Sequence, residues 1–169
     1  MPAFGPEQPP DQWKLSPEGQ LAAAALGPHL PPAAYLSAST EPKAWQTLSP
    51  FGRPHLDRRF GEVVRVGEPY DANFRELRLS YVTGQDHPGW EARTEVVARF
   101  DAAIAHHLAL AGGAPLVVAT HGMVMTLWLT ARAGLADPGT FWAELRLPDL
   151  VCVDLAIDLA ARTITKIAL

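Results

Sequence analysis

The chain has 169 residues, which predicts a single domain, residues 1–169, large enough to bury a core of its own. Its composition, 48% hydrophobic and 19% charged residues, is that of a globular protein and excludes a disordered chain. The formal net charge of -4 gives no electrostatic attraction to nucleic acid or to an anionic membrane, so neither is expected as a partner.

The sequence also excludes a membrane-spanning segment, and it indicates neither a secretion signal nor a disulfide or metal site. Apolar runs such as Ala114–Ala119 are far too short to span a bilayer. Residues Met1–Pro6 lack both the basic flank and the apolar stretch of a secretion signal, so we expect a cytoplasmic protein. The single cysteine, Cys152, can form neither an internal disulfide nor a thiolate zinc site. No histidine pair has a third ligand at metal-binding spacing, and no metal site is predicted.

The first predicted elements are a helix, a strand and a second helix. Ser16 is a typical N-cap residue, and it predicts a helix that includes the alanine-rich run Gln20–Leu26. Ala34–Ala38 predicts a short strand, and Pro42–Leu48 predicts one or two helical turns. Between Ser49 and Pro88, glycine, proline, aspartate and arginine residues interrupt every regular hydrophobic pattern. The sequence therefore leaves the structure of this region, including Phe74–Leu79, open.

Clear periodicity returns in the second half of the chain. Apolar residues at helical spacing predict an amphipathic helix over Ala92–Leu110. The unbroken apolar run Leu116–Thr120 is typical of a strand that is buried on both faces, and a helix over Val124–Arg132 follows it. Alternation from Val151 to Asp158 predicts a half-buried strand, with Thr163–Ala168 as its antiparallel partner.

Strands that alternate with helices predict a three-layer α/β/α sandwich with a mostly parallel central sheet. Ligands bind such sheets beyond the carboxyl ends of the parallel strands, and His121 follows one of these ends. There the free backbone N–H groups of the next helix attract anions, and Gly122 lets a ligand approach the backbone closely. The alternative is a histidine that only caps this helix. The remaining histidines are interpreted as structural, with His106 and His107 as partly charged imidazoles near a helix C-terminus.

Three segments carry a family resemblance: Trp13–Gly19, Ser39–Thr47 and Ala119–Gly122. In this order they resemble the histidine phosphatase (phosphoglycerate mutase-like) superfamily, over a stretch from Met1 to roughly Arg132. The resemblance implies a phosphomonoester hydrolase that needs no cofactor and acts on a small phosphorylated substrate. In the family mechanism one histidine takes the phosphoryl group and a second histidine helps to neutralise its developing charge.

The resemblance also assigns candidate site residues. His121 corresponds to the second histidine, with Gly122 beside it, and Lys43 takes the place of a phosphate-binding cation that is more often arginine. Glu62 corresponds to the acid that protonates the leaving oxygen, and a carboxyl beside a phosphate has a raised pKa that suits this role. The alternatives are a solvated lysine at a helix end and a surface glutamate paired with an arginine. Glu91 is a weaker candidate for the acid and is interpreted as a helix-capping carboxylate.

The family's Arg-His-Gly or Arg-His-Ala motif, which carries the nucleophile, normally comes just before the segment that Trp13–Gly19 resembles. We therefore expect a truncated N-terminus, with upstream codons that supply this histidine and the first central strand of the sheet. Without that strand, two open sheet edges favour self-association. The alternative, from another class, is a non-catalytic phosphate-binding or interaction protein on the same fold.

Overall fold

The structure is a computed structural model that describes residues 9–69, 73–155 and 163–167. The helices are α1 (Pro17–Ala24), α2 (Pro42–Leu48), α3 (Phe74–Thr83), α4 (Arg93–Ala111), α5 (Gly122–Ala133) and α6 (Pro138–Ala143). The strands are β1 (Tyr35–Ala38), β2 (His55–Leu56), β3 (Leu116–Ala119), β4 (Leu150–Val153) and β5 (Ile164–Ile167). One-turn 3-10 helices lie at Pro10–Gln12, Gly27–His29, Ser49–Phe51 and Arg58–Phe60.

Three short parallel strands form the central sheet, in the order β2-β1-β3. β1 pairs with β2 through Ser37 and Ala38, and along its whole length with β3. Because the three strands are parallel, their carboxyl ends lie at the same edge of the sheet. Helix α2 packs against β1 and β3, while α4 packs against β3 and α5. The predicted α/β class with a parallel sheet is confirmed.

The predicted hairpin is present as a separate two-stranded antiparallel sheet. Leu150 pairs with Ile167, and Val153 pairs with Ile164. β4 ends at Val153, before the predicted end at Asp158, and residues 156–162 and 168–169 lie outside the described part of the chain.

β3 differs from its prediction, because none of its four residues is fully buried. By contrast, Ser37 and Ala38 of the neighbouring β1 are completely buried. The reason is position: β1 pairs with two strands, whereas the outer edge of β3 has no strand partner among the described residues. An apolar run therefore predicted the strand correctly and its burial on both faces wrongly. Val118 of β3 and Val151 of β4 still pack against the same core.

The core centres on aromatic residues from α4, α5 and the 3-10 turn Arg58–Phe60. The ring of Phe60 is fully buried and packs edge-on against Phe100, with ring centroids 5.1 Å apart. Phe100 in turn lies 5.5 Å from Trp128, centroid to centroid. This packing fixes the segment that leads from β2 to Glu62.

Two helices begin at polar residues whose side chains cap the helix N-terminus. Ser16 caps α1 by accepting a hydrogen bond from the N–H of Gly19 at 3.1 Å, as predicted. Asp137 caps the unpredicted α6 by accepting from the N–H of Thr140 at 2.9 Å. Within the described ranges, no helix has the length and apolar character needed to cross a membrane.

Replacing Phe60 by alanine should lower the free energy of unfolding by about 3–5 kcal/mol, because the change removes a buried ring and leaves a cavity. Urea denaturation followed by circular dichroism measures this loss. Leu56→Ala is the control, since Leu56 is 53% exposed, and we expect a change within about 0.5 kcal/mol. Equal losses for both variants would contradict this description of the core.

Candidate functional site

The carboxyl ends of the three parallel strands bring together four polar side chains: Glu41 after β1, Asp57 after β2, and Thr120 and His121 after β3. Backbone hydrogen bonds keep these chain segments adjacent beyond the strands. The N–H of Ser39 donates to the carbonyl of Ala119 at 2.9 Å, and that of Asp57 donates to the carbonyl of Ala38 at 2.8 Å. This edge is where ligands bind parallel α/β sheets.

His121 lies at the N-cap position of α5, with its side chain only 6% exposed. The ring makes no capping hydrogen bond to the helix, so the capping alternative is wrong. Its Nε2 lies 3.1 Å from Oε1 of Glu41 without hydrogen-bond alignment, and has no hydrogen-bond partner within the described part of the chain. Burial lowers the pKa of His121 and outweighs the nearby carboxylates of Glu41 and Glu62, which raise it. The imidazole is therefore neutral at pH 7.

Glu62 lies at the start of α5, in the position that the sequence assigns to an anion. Its Oε1 accepts a hydrogen bond from the N–H of Val124 at 3.0 Å, and its Oε2 accepts one from the N–H of Met123 at 3.2 Å. The carboxylate thus stabilises the helix N-terminus. The side chain of Glu62 is half-buried, and Arg65 is among the neighbours that lower its pKa, so the pairing with an arginine stays an alternative.

The pKa of Glu62 is lowered. Burial alone would raise it, but His121, Arg65 and the backbone N–H groups of Val63 and Met123 together outweigh the burial. This is the opposite of the direction that the sequence analysis expects for an acid beside a phosphate. The role of Glu62 as the acid stays a prediction.

Glu41 is the site residue that sequence reasoning missed. Its Oε2 accepts a hydrogen bond from Nζ of Lys43 at 2.5 Å, and its Oε1 accepts one from the N–H of Glu62 at 2.9 Å. One carboxylate therefore connects Lys43, His121 and Glu62. A signal was available, since an acidic side chain stands two residues before the predicted cation of the Ser39–Thr47 segment.

Lys43 is held on two sides. Besides Glu41, its Nζ donates to the carbonyl of Pro10 at 2.6 Å, and its side chain is only 20% exposed. The alternative of a solvated lysine is wrong. The backbone N–H of Lys43 also donates to the carbonyl of Trp13 at 3.0 Å, so this residue attaches the segment 10–13 to the start of α2.

Gly122 has a packing role that the sequence did not show. A Cβ at this position would lie 3.2 Å from Cδ1 of Leu145 and 3.5 Å from Nε1 of Trp142. The missing side chain therefore makes room for Trp142 and Leu145. The predicted contact between Gly122 and a phosphate stays a prediction.

Glu91 binds an arginine instead of capping α4, so the capping interpretation is wrong. Its two carboxylate oxygens accept from Nε and Nη2 of Arg99, at 2.6 and 3.0 Å. Nη1 of Arg99 also donates to the carbonyls of Arg59 and Gly61, at 2.7 and 2.9 Å, and Nη2 donates to the carbonyl of Glu62 at 3.2 Å. Arg99 therefore holds the segment that carries Glu62.

His107 is also different from its prediction. It is buried, and its Nε2 lies 3.1 Å from Oδ2 of Asp57 and 3.3 Å from Oγ of Ser37. Burial lowers the pKa of His107 despite the neighbouring Asp57, so the imidazole is neutral and not a partner of the helix dipole. The pKa of Asp57 is well below its usual range, because hydrogen bonds from Arg59 and His107 outweigh the effect of burial.

No group of three or more histidine, cysteine or carboxylate side chains in the described ranges is arranged to hold a metal ion.

Comparisons with protein families and with curated proteins find no match to the sequence. Solved structures do match. The mycobacterial glucosyl-3-phosphoglycerate phosphatase in complex with inorganic phosphate is 20% identical, with a TM-score of 0.62 over 93% of this chain and 87% of that one. The same phosphatase in complex with VO3 is 21% identical, with a TM-score of 0.58 over 78% and 75%. Phosphoglycerate mutase from Thermus thermophilus is 24% identical, with a TM-score of 0.61 over 94% and 86%.

These neighbours belong to the histidine phosphatase superfamily, so the resemblance that the sequence predicted is confirmed for the fold. The chain has the phosphoglycerate mutase-like α/β/α fold. At these sequence identities the likeness establishes the fold alone.

Replacing Arg99 by lysine should lower the free energy of unfolding by about 1–3 kcal/mol. Lysine keeps the charge but loses the planar fork that binds Glu91 and three carbonyls at once. The control is Arg93→Lys on the same helix, where the partner Asp86 is largely exposed and the pair contributes little. Chemical denaturation of both variants provides the comparison. If the two losses are equal, Arg99 does not hold the Glu62 segment.

The protein should lose stability as the pH falls from 7.5 to 5.5. The lowered pKa values of His121 and His107 mean that the unfolded chain takes up protons near pH 6.5, whereas the folded protein does so only at lower pH. Both histidines should contribute to this loss. Asp57 and Glu62, whose pKa values are lowered, stay ionised in this range.

Thermal melts across that pH range test the effect. His121→Gln should show a smaller dependence on pH than the wild type, because it removes one of the two titrating groups. An unchanged dependence would mean that His121 is protonated as easily in the folded protein as in the unfolded chain.

Proposed function

We propose that the edge formed by His121, Lys43 and the start of α5 binds the phosphate group of a small phosphorylated molecule, and that the fold is that of a phosphomonoester hydrolase. One observation carries this proposal: the buried Nε2 of His121 has no hydrogen-bond partner among the described residues and lies at the N-terminus of a 12-residue helix. A buried polar atom without a partner is costly, and a ligand oxygen would satisfy it.

Each residue has a distinct part in this binding. A neutral His121 that carries its proton on Nε2 can donate a hydrogen bond to a phosphoryl oxygen. Lys43 supplies the positive charge, and the N–H groups of Met123 and Val124 become further donors when the Glu62 carboxylate, which accepts from both, turns towards the leaving oxygen. Glu62, beside the bound phosphate, would gain a raised pKa and become able to donate a proton to the leaving oxygen.

The structural neighbours support the class of ligand. One neighbour is a phosphatase in complex with inorganic phosphate, and another structure of that phosphatase contains VO3. We propose phosphate-ester hydrolysis in preference to a mutase reaction as the chemistry of this site once a histidine nucleophile is supplied to it, because the neighbour in complex with phosphate and with VO3 is a phosphatase.

Turnover by the family mechanism also needs a histidine nucleophile, and the other histidines have different places in the fold. Three of them are held by other side chains: His55 stacks on Tyr35, His87 hydrogen-bonds to Ser80, and His107 hydrogen-bonds to Ser37 and Asp57. His29 lies in the 3-10 turn Gly27–His29, and His106 lies beside His107 on α4. This distribution favours a second candidate function, phosphate binding without catalysis.

Titration with inorganic phosphate tests the binding. The imidazole signal of His121 should shift as phosphate binds with millimolar affinity, and His121→Ala should abolish the binding. The control variant is His87→Ala, whose ring hydrogen-bonds to Ser80. A His121 signal that stays unchanged up to tens of millimolar phosphate would leave only a structural role for this residue.

Hydrolysis of p-nitrophenyl phosphate separates the two candidate functions. We expect the 169-residue chain to show no turnover above background, because His121 binds the phosphoryl group and does not attack it. Turnover typical of a phosphatase that is abolished by His121→Ala would make His121 the nucleophile, and the assignment of roles would be wrong.

We also propose that the chain self-associates through the outer edge of β3. This edge has no strand partner among the described residues, and β3 is half-buried along its whole length. A second copy could pair with it in the same way as β1 does. Light scattering over a concentration series should show a rise in mass, and a monomer at every concentration would contradict the proposal.

A further inference from the structure

The carboxylate of Glu41 lies between the two side chains that the proposed function assigns to phosphate. Its Oε2 lies 2.5 Å from Nζ of Lys43, and its Oε1 lies 3.1 Å from Nε2 of His121. A phosphate oxygen that hydrogen-bonds to either donor must come within about 2.7–3.2 Å of it. Oε2 of Glu41 already occupies such a position on Lys43, and Oε1 lies close enough to Nε2 of His121 to block the approach of a phosphate oxygen.

We propose that Glu41 determines how tightly this edge binds an anion, because a phosphate group binds His121 and Lys43 only by displacing the Glu41 carboxylate. The inference rests on the proposed function, since it concerns the same site. It makes Glu41 a residue that sets the affinity of the site, since a ligand must compete with a carboxylate that belongs to the protein.

The surroundings of Glu41 explain why its carboxylate stays in place. The backbone N–H of Glu41 donates to Oγ of the buried Ser39 at 3.2 Å, which fixes the chain at the end of β1. The side chain is 13% exposed, and its Oε1 also accepts from the N–H of Glu62 at 2.9 Å. Outward rotation of the carboxylate therefore breaks an ion pair and leaves a backbone donor without its acceptor.

The charges around Glu41 lead to the same conclusion. Lys43 faces it from α2, the neutral His121 faces it from the start of α5, and Glu62 faces it from the segment after β2, with Arg65 nearby. Glu41 already pairs with Lys43, Arg65 pairs with Glu68 at 2.9 Å, and Glu62 adds a further negative charge. A phosphate dianion added to this set meets net repulsion unless one carboxylate moves away.

The first test is Glu41→Gln, which removes the charge and keeps an oxygen that can accept from the N–H of Glu62. Titration with inorganic phosphate, followed through the His121 imidazole, should show affinity that is higher on the order of tenfold than in the wild type. Glu95→Gln is the matched control, because Glu95 is an exposed residue of α4 and the change in net charge is the same. It should leave the affinity unchanged.

The outcomes separate this inference from the proposed function. Equal phosphate affinity in the wild type and Glu41→Gln, or weaker binding in the variant, overturns the role of Glu41 and leaves the phosphate site standing. Absence of binding in the wild type and in every variant overturns both. Should thermal melts show that Glu41→Gln does not fold, Glu41→Ala and the shortened Glu41→Asp replace it, and tighter binding by either supports the proposal.

Discussion

The position of Glu62 is the constraint on which the rest of this edge depends, because each of its polar groups is held by a different part of the fold. Its carboxylate accepts from the first turn of α5, its N–H donates to Glu41, and its carbonyl accepts from Arg99. Phe60, packed against Phe100, fixes the same segment from within the core. The carboxyl ends of β1 and β3 and the long helix α4 are therefore joined through a single residue. A change at any of these points would alter the position of the carboxylate at the start of α5.

Among the described residues of this edge, Nε2 of His121 is the buried side-chain atom without a hydrogen-bond partner. The fold is that of proteins whose structures contain phosphate or VO3, but here carboxylates occupy the positions that an anion would take. The electrostatic cost of binding phosphate is therefore set by how easily Glu41 and Glu62 move or take up a proton. His121 is neutral for a related reason. A charged imidazole that is this deeply buried would need a carboxylate paired with it alone, whereas Glu41 is already paired with Lys43.

Sequence reasoning succeeded where local chemistry decides the structure. Helix α2 has its predicted bounds, because a proline at the first helical position marks its start. The strand that leads to His121 was predicted because a short, unbroken apolar run that is followed by a helical pattern is typical of a strand in a parallel sheet. The failures concern contacts between distant parts of the chain. The burial of β3 depends on its neighbours in the sheet, Glu91 reaches an arginine two turns along α4, and Glu41 is turned towards His121 by the fold. Periodicity carries no information on any of these.

The substitution of lysine for the commoner arginine at position 43 affects more than the geometry of a single contact. An arginine has five donors in a fixed fork, whereas Lys43 has three on one nitrogen, and Glu41 and Pro10 already accept two of them. In the proposed site a phosphate therefore takes the place of Glu41 on Lys43, while Pro10 keeps the segment 10–13 attached to the start of α2. A phosphate at this edge must rely mainly on His121 and on the N–H groups of α5 for its orientation. Under the proposed function, the affinity of the site for phosphate would therefore be set by the carboxylates that compete for those groups more than by Lys43.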